Sequence, residues 1–370
     1  MTYIHELDAW PEMTWDAAAL SGPLALVRNK QGRLLGRMES LGFELRSQAS
    51  VSVLTQEIVK SSAIEGETLD PGEVRSSIRR RLGLDVAGLP TPSRNVEGFV
   101  EVLLEATANF AAPLTKERLF NWHAALFPTA RSGMNPISVG RWRDGTLGPM
   151  QVVSGPAGKE RVHYEAPDAA RVDFEVLRFI DWFNSSPPVD AVLKAGIAHF
   201  WFVTIHPFDD GNGRLARTIA DMALARSDGT KDRFYSMSSQ IESERKQYYL
   251  VLEAAQHGTT DITAWLSWFL RCLERAIDGA AGVLQSVFDQ GHIWNLLRGV
   301  PMNERQSVVL NRLMEGFDGK LTTSKYAKLA KCSHDTALRD IQDLVDRGAL
   351  MRNAAGGRTT SYALALPMRA

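Results

Sequence analysis

The feature that most limits the fold lies near the middle of the chain. Ala191 to Thr204 is almost entirely apolar, with Phe200, Trp201, Phe202 and Val203 in succession. A helix that is apolar all round must be packed on most of its sides. The next residues, His206 to Arg217, read H-P-F-D-D-G-N-G-R-L-A-R. Pro207 biases its predecessor away from helix, so the buried helix must end there. Gly211-Asn212-Gly213 reads as a tight turn whose residues tolerate positive φ, so successive N–H groups can converge on an anion. A second helix is predicted from Arg214, with Leu215, Ile219 and Met222 on its buried face. Its N-terminal N–H groups and dipole add to the anion site. Arg214 and Arg217 stand three apart, and helical side chains lean toward the N-terminus, which places both guanidinium groups over the turn. Two forked cations and a nest of N–H groups suit a di- or triphosphate. Asp210 is a single carboxylate at the lip, as Mg²⁺ beside phosphates requires. His206 is the candidate general base.

The rest of the chain reads as mainly helical. Residues 15–30 and 38–61 carry apolar side chains at three- and four-residue spacings, as in Val51, Leu54 and Ile58. Pro71-Gly72 marks a break before a helix with Arg79-Arg80-Arg81, read as a solvated face. Another helix is expected from near Asn95. Thr115 is placed to cap an amphipathic helix over 115–127. Residues 150–154 and 161–165 flank Gly155-Pro156-Ala157-Gly158-Lys159 and predict a hairpin. Gly279 to Pro301 reads as a looser connection.

Residues 302–370 have a pattern of their own. A helix over Arg305–Phe317 ends at Gly319, Thr323 starts a short one, and Ser333 caps a third that runs to Arg347 and stops at Gly348. Leu350 to Arg352, a Gly356-Gly357 turn and Ser361 to Leu366 then suggest a wing. This is the order of a winged helix-turn-helix. Residues 301–370 hold 11 Lys or Arg against 7 Asp or Glu, a net of +4. The third helix carries His334, Arg339 and Arg347, but Asp335, Asp340, Asp343 and Asp346 would face phosphate if it entered a groove. Arg352 and Arg358 are candidate phosphate contacts on the wing. DNA is therefore the less favoured partner, and dimerisation or target docking the favoured role.

The stretch 206–217 resembles the Fic (filamentation induced by cAMP) family, matching H-P-F-x-[D/E]-G-N-G-R-x-x-R at every specified position. The resemblance implies a protein adenylyltransferase. His206 would deprotonate a hydroxyl of a target protein, which attacks the α-phosphate of ATP. Asp210 would hold Mg²⁺, and Gly211, Asn212 and Gly213 would cradle the phosphates. Arg214 would contact the β-phosphate, Arg217 the γ-phosphate, and Phe208 would anchor the loop. Ser61-Ser62-Ala63-Ile64-Glu65-Gly66 fits S/T-x-x-x-E-G/N, the inhibitory helix motif of the same family. It implies that Ser61, Glu65 and Gly66 form a self-inhibitory element in which Glu65 pairs with Arg217. The hairpin 149–165 falls where the family carries a flap that docks targets. Gly140-Arg141-Trp142-Arg143 resembles G-x-[YW]-R, with Arg143 structural. Tyr248 and Tyr249 fall where family members pack near the nucleotide base, core packing being the other reading. His199 is read as a core histidine.

The expected architecture is a mainly α protein. It comprises an N-terminal helical region carrying the inhibitory motif (1–110), a Fic catalytic domain with a β-hairpin flap (111–280), a connecting helix or linker (281–301) and a winged helix (302–370). Net charge is −1, which excludes bulk electrostatic binding of nucleic acid. Cys272 and Cys332 do not form a disulfide framework. The N-terminal residues show no targeting pattern, and no apolar stretch is long enough to span a bilayer, so a cytoplasmic protein is expected. ATP, target proteins and a homodimer partner are the expected associations. Two alternatives stay open: a DNA-binding regulator whose core senses nucleotide, and the reverse reaction, with Glu65 positioning water to remove AMP.

Overall fold

Asp16 starts the first long helix, its Oδ1 accepting from the N–H groups of Ala18 and Ala19 at 2.9 and 3.1 Å. That helix, α1 (Ala17–Glu39), is followed by α2 (Phe43–Ile64). Asp70 accepts from Glu73 N–H at 2.9 Å and, with Pro71 in the first turn, opens α3 (Pro71–Arg81). Next come α4 (Arg94–Ala108) and α5 (Lys116–Leu126), the latter capped by Thr115 as its sequence predicts. These coordinates are a computed structural model, and they describe residues 2–365 other than 40, 85, 87, 147, 156–158, 160, 298–301, 315–318 and 354–359.

Two small antiparallel pairs follow: β1 (Arg131–Ser132) with β2 (Asn135–Pro136), and β3 (Gln151–Ser154) with β4 (Arg161–Glu165). The second is the expected hairpin, with a register slip between Val152 and Val153 that bends it. Of its turn, residues 156–158 lie outside the described set. The helices resume with α6 (Val172–Asn184), α7 (Ala191–Ile205), α8 (Asn212–Asp228), α9 (Met237–Ser243), α10 (Arg245–Ala255) and α11 (Thr263–Leu296).

The apolar run is α7, and it is buried from Val192 to Ile205 apart from Lys194. It packs against α6, α8 and α11. Gly196 lets α11 approach closely: a Cβ there would stand 3.0 Å from the Phe269 ring. Trp265 Nε1 donates to the Gly196 carbonyl at 2.9 Å across the same contact. Phe200 and Phe202 are fully buried, each contributing about 2 kcal/mol. α2 is held over α9 by the buried Glu57 carboxylate, which accepts from the Ser236 hydroxyl at 2.7 Å and Ser238 N–H at 3.0 Å. This anchor fixes the helix whose C-terminal end reaches the site.

The connection expected from Gly279 is helical as far as Leu296, because α11 continues to that residue. Ala280, Leu284 and Val287 are buried at helical spacing, so one apolar stripe carries the helix onward. Among the described residues one apolar cluster runs from Ile4 to Val287 and a second from Leu297 to Leu350. The second belongs to α12 (Glu304–Met314), α13 (Thr323–Leu329), α14 (His334–Asp346) and the antiparallel pair β5 (Leu350–Arg352) with β6 (Tyr362–Leu364). That is the element order expected of a winged helix-turn-helix. The Gly356-Gly357 turn, Arg358, Phe317 and Leu366 lie outside the described residues.

One expectation for this unit fails. Asp340 is buried, accepting from Arg305 Nε at 2.9 Å and Asn303 Nδ2 at 3.0 Å. Asp343 accepts from Gln306 at 2.6 Å and pairs with Arg347 at 2.8 Å. These two acids tie α14 to α12 and to its own C-terminus. Only Asp335 and Asp346 remain as exposed acids on that helix. No helix among the described residues is long and apolar enough to cross a membrane.

Candidate active site

α7 ends in a strained residue. His206 lies in the left-handed region, at φ 51° and ψ 58°, a region few residues other than glycine adopt. The conformation stops the helix and turns the imidazole into the space between α7 and α8. Arg143 fixes it from behind, donating through Nε to the His206 carbonyl at 2.8 Å and through its Nη2 to the Pro167 carbonyl. This is the structural role expected of Arg143. His206 Nδ1 donates to the Val203 carbonyl at 3.1 Å, since a carbonyl can only accept. The proton is thereby placed on Nδ1, and Nε2 keeps its lone pair. Burial holds the imidazole below its ordinary pKa; the Val203 bond opposes this and the Arg143 charge adds to it. The ring is neutral near pH 7, as a general base must be.

The loop after His206 is held by side chains rather than by its glycines alone. Phe208 is fully buried and stacks on His123, centroids 4.1 Å apart and planes at 6°. Asn212 Oδ1 accepts from Phe208 N–H at 3.0 Å, and its Nδ2 donates to the Phe208 carbonyl at 2.8 Å. The Asn212 side chain is therefore committed to the loop. His123 Nε2 donates to the Asp210 carbonyl at 3.2 Å, while Nδ1 accepts from Gly140 N–H at 3.2 Å. Desolvation pushes the His123 imidazole down to about 4. The 115–127 helix pattern contains His123 but carries no sign of this role, which depends on a contact 87 residues away.

The turn departs from its expected form. α8 starts at Asn212 rather than Arg214, and only Gly211 takes a positive φ, 81°. Gly211 has a second reason to be glycine, because a Cβ would stand 2.8 Å from the Phe127 ring. A single αL residue leading straight into helix puts the first N–H groups of α8 at the turn, which is the anion-binding geometry of a helix N-terminus. Asp210 is tied down there: Oδ1 accepts from Gly211 N–H at 2.5 Å, and Oδ2 accepts from the Ser132 hydroxyl. No group of three or more metal-binding side chains occurs among the described residues. A lone carboxylate of this kind fits a cation whose other ligands are phosphate oxygens and water.

Both arginines lie beside the start of α8, and each is already paired. Arg217 is almost wholly buried and turns to the end of α2. Its Nε donates to Ser61 Oγ at 2.8 Å, and its Nη2 to the Ser61 carbonyl at 2.9 Å and to Glu65 Oε1 at 2.7 Å. Gly66 follows at φ 84°. The Glu65 carboxylate lies against the first turn of α8: a Cβ at Gly213 would be 2.1 Å from its Oε1. Arg214 lies 4.8 Å over the Phe127 ring and pairs with Glu67 at 2.7 Å, a partner the sequence reading did not name.

A cavity of about 600 Å³ opens beside these groups. His206, Asp210, Asn212, Gly213, Tyr248, Tyr249 and Glu65 line it, and the β3–β4 hairpin forms one wall. Gly211, Arg214, Arg217, Ser61 and Gly66 do not line it. Tyr248 is buried and bonded to His199 at 3.0 Å, and Tyr249 donates to the Ile64 carbonyl at 3.3 Å. His199 is itself fully enclosed, its pKa driven down to about 3 by burial, in keeping with a core histidine.

A helical fold carrying a histidine and a phosphate-sized turn at an α7–α8 junction is that of Fic proteins. A Fic family protein from Desulfovibrio desulfuricans G20 superposes with a TM-score of 0.55 at 21% identity, covering 95% of this chain and 97% of that one. A Fic domain containing signaling protein from Bacteroides thetaiotaomicron gives 0.52 at 17%, over 70% and 97%. These likenesses establish the fold. Residues 113–224 match the Fic/DOC family, so this chain is a Fic/DOC-domain protein, and residues 3–84 match a domain of unknown function (DUF4172). Curated relatives include protein adenylyltransferase fic-1 of Caenorhabditis elegans, 27% identical over 61% of this chain and 41% of its own length. Protein adenylyltransferase Fic of Nematostella vectensis is 27% identical over 64% and 51%. The chain spans about half or less of the length of these relatives.

Proposed function

We propose that this chain is a protein adenylyltransferase that restrains itself. The observation that carries the reading is His206: a neutral imidazole on the cavity wall whose Nε2 is unprotonated, beside the N-terminus of α8. In the reaction, His206 Nε2 takes the proton of a target hydroxyl. The oxygen bonds to the α-phosphorus of ATP, the bond from that phosphorus to the β-phosphate bridge breaks, and pyrophosphate leaves. The N–H groups at the start of α8 meet the charge that develops on the phosphoryl oxygens. Asp210 is the residue that would hold Mg²⁺, which supplies charge neutralisation when bound. The names of the relatives supply the AMP group, since a phosphate site by itself reads no base.

The β3–β4 hairpin supports a protein target. It walls the same cavity, and Val153 and Val162 stand exposed on it, so an extended segment can add along its edge and present a hydroxyl. Glu65 supports restraint, because its carboxylate occupies Arg217 and covers Gly213. We propose docking or self-association, rather than DNA binding, for the unit beginning near residue 302. Its exposed α14 surface carries Asp335, Asp346 and Leu338 beside Arg339.

The test is incubation of the purified protein with labelled ATP and Mg²⁺. Glu65→Gly is expected to label itself or added protein, and His206→Ala in that background to lose the label. A silent Glu65→Gly variant sinks the adenylyltransferase reading.

A further inference from the structure

The second carboxylate at this site lies outside both sequence motifs. Glu67 Oε2 accepts from Arg214 Nη1 at 2.7 Å. Glu67 stands two residues beyond Glu65, and Gly66 between them takes φ 84°. That left-handed turn is closed by Glu67 N–H donating to the Ser62 carbonyl at 3.0 Å. The result is a register: two acids from one turn meet the two arginines in the first turns of α8, Glu65 on Arg217 and Glu67 on Arg214.

The two pairs differ in strength. The Glu67 side chain is 44% exposed, against 29% for Glu65, which favours Glu67 as the more readily exchanged partner. Arg214 itself is buried and has binding capacity unspent. Its Nε has no partner and neither does Ser62 Oγ; both residues line a separate cavity of about 320 Å³ together with Arg131, Thr129 and Glu67. An anion that displaced Glu67 would find donors ready.

We infer that Glu67 is a specificity-determining residue that sets how many phosphates the site admits. The assignment of phosphates to arginines rests on the adenylyltransferase reading. Glu65 stands at the γ-phosphate place and Glu67 at the β-phosphate place. With both seated, both arginines are paired and Glu65 lies against the first turn of α8, so the place of each outer phosphate is filled by a carboxylate. Removing Glu65 frees Arg217 but leaves Arg214 neutralised, so the two acids act in series on one phosphate chain.

The experiment measures binding by calorimetry at fixed Mg²⁺ on the full chain, comparing the parent with Glu67→Gln, Glu65→Gln and the double variant. The probes are AMP, ADP, ATP and inorganic pyrophosphate. Glu67 is largely solvent-facing, so Glu67→Gln preserves the fold. It is expected to tighten ADP and pyrophosphate about tenfold while AMP stays within about twofold. Glu65→Gln is expected to favour ATP over ADP, and the double variant to bind ATP tightest. An ADP-to-AMP affinity ratio unchanged by Glu67→Gln overturns the inference, as does an equal gain for AMP, which would be a general charge effect. If pyrophosphate gains on Glu67→Gln while no nucleotide binds any variant, the gate stands and the adenylyltransferase reading falls. If Glu65→Gly transfers AMP while Glu67→Gln alters nothing, the gate falls and that reading stands. A double variant silent to all four probes overturns the gate as well.

Discussion

Ser61 offers a sharper probe of the proposed self-restraint than Glu65, because substituting it leaves the Glu65 carboxylate in place. Arg217 donates three hydrogen bonds to the end of α2: to Ser61 Oγ at 2.8 Å, the Ser61 carbonyl at 2.9 Å and Glu65 Oε1 at 2.7 Å. Ser61→Ala deletes only the first. Alanine is the best helix former, so α2 itself is not weakened. Ser61 is 1% exposed, and the space left excludes water, so Arg217 Nε would be left a buried donor without an acceptor. A hydrogen bond to a charged group contributes about 1.5–3 kcal/mol, which puts the loss near 2 kcal/mol. Each 1.4 kcal/mol is a factor of ten, so the population in which Arg217 is released should rise roughly tenfold to thirtyfold.

The assay is the initial rate of label transfer from ATP, with Glu65→Gly as the upper limit. Ser61→Ala should fall between the parent and Glu65→Gly. Adding Ser61→Ala to Glu65→Gly should give little further gain, because the two act on one guanidinium and are not additive. A Ser61→Ala rate within twofold of the parent, beside a fast Glu65→Gly, would show that the bond to Ser61 orders the helix without restraining Arg217.

The remaining predictions concern proton binding, packing and nucleic acid. Transfer by Glu65→Gly needs neutral His206, and burial lowers its pKa, so the acid limb of the rate profile should lie below pH 6.5; an apparent pKa at or above 6.5 would contradict the buried geometry. His123 and His199 are buried neutral, with pKa values near 4 and 3, so below pH 6.5 the unfolded chain binds protons that the folded chain refuses. Each should remove up to about 1.4 kcal/mol of stability per pH unit on acidification, and urea midpoints flat between pH 6.5 and 5 would refute this. A Cβ at Gly98 would fall 1.8 Å from the Ala125 carbonyl oxygen, so Gly98→Ala must push α4 from α5; a loss of about 2 kcal/mol or more is expected in denaturant unfolding, and a neutral variant would mean the helices separate freely. A gel shift with DNA upstream of the coding sequence should show no complex even at low salt, and a salt-sensitive complex would restore the DNA-binding alternative.

The sequence disclosed what is local in it. Thr115, Ser333 and the Pro71 break place helix starts, because a cap answers to residues three positions away. α7 was legible because no solvent-facing helix can be apolar on every side. The contact between Glu65 and Arg217 was reachable only through a family resemblance, since 152 residues separate the two. What stayed hidden are partners chosen by tertiary packing. Arg214 reads as a phosphate ligand because the acid nearest it in the chain, Asp210, reads as a Mg²⁺ ligand, yet Glu67 arrives from a turn whose direction is set by one positive φ at Gly66. Asp340 looked like a surface acid on an amphipathic helix until Arg305 of α12 and Asn303, just before that helix, met it. His123 looked like an ordinary helical residue, yet it carries the Asp210 carbonyl and the Phe208 ring together. In each case the charge or the ring was visible and its partner was not. The pattern bears on the site directly: the arginines whose spacing suggested a phosphate clamp are both buried and already paired, Arg217 with Ser61 and Glu65 and Arg214 with Glu67, so the proposed phosphate chemistry requires those partners to be exchanged.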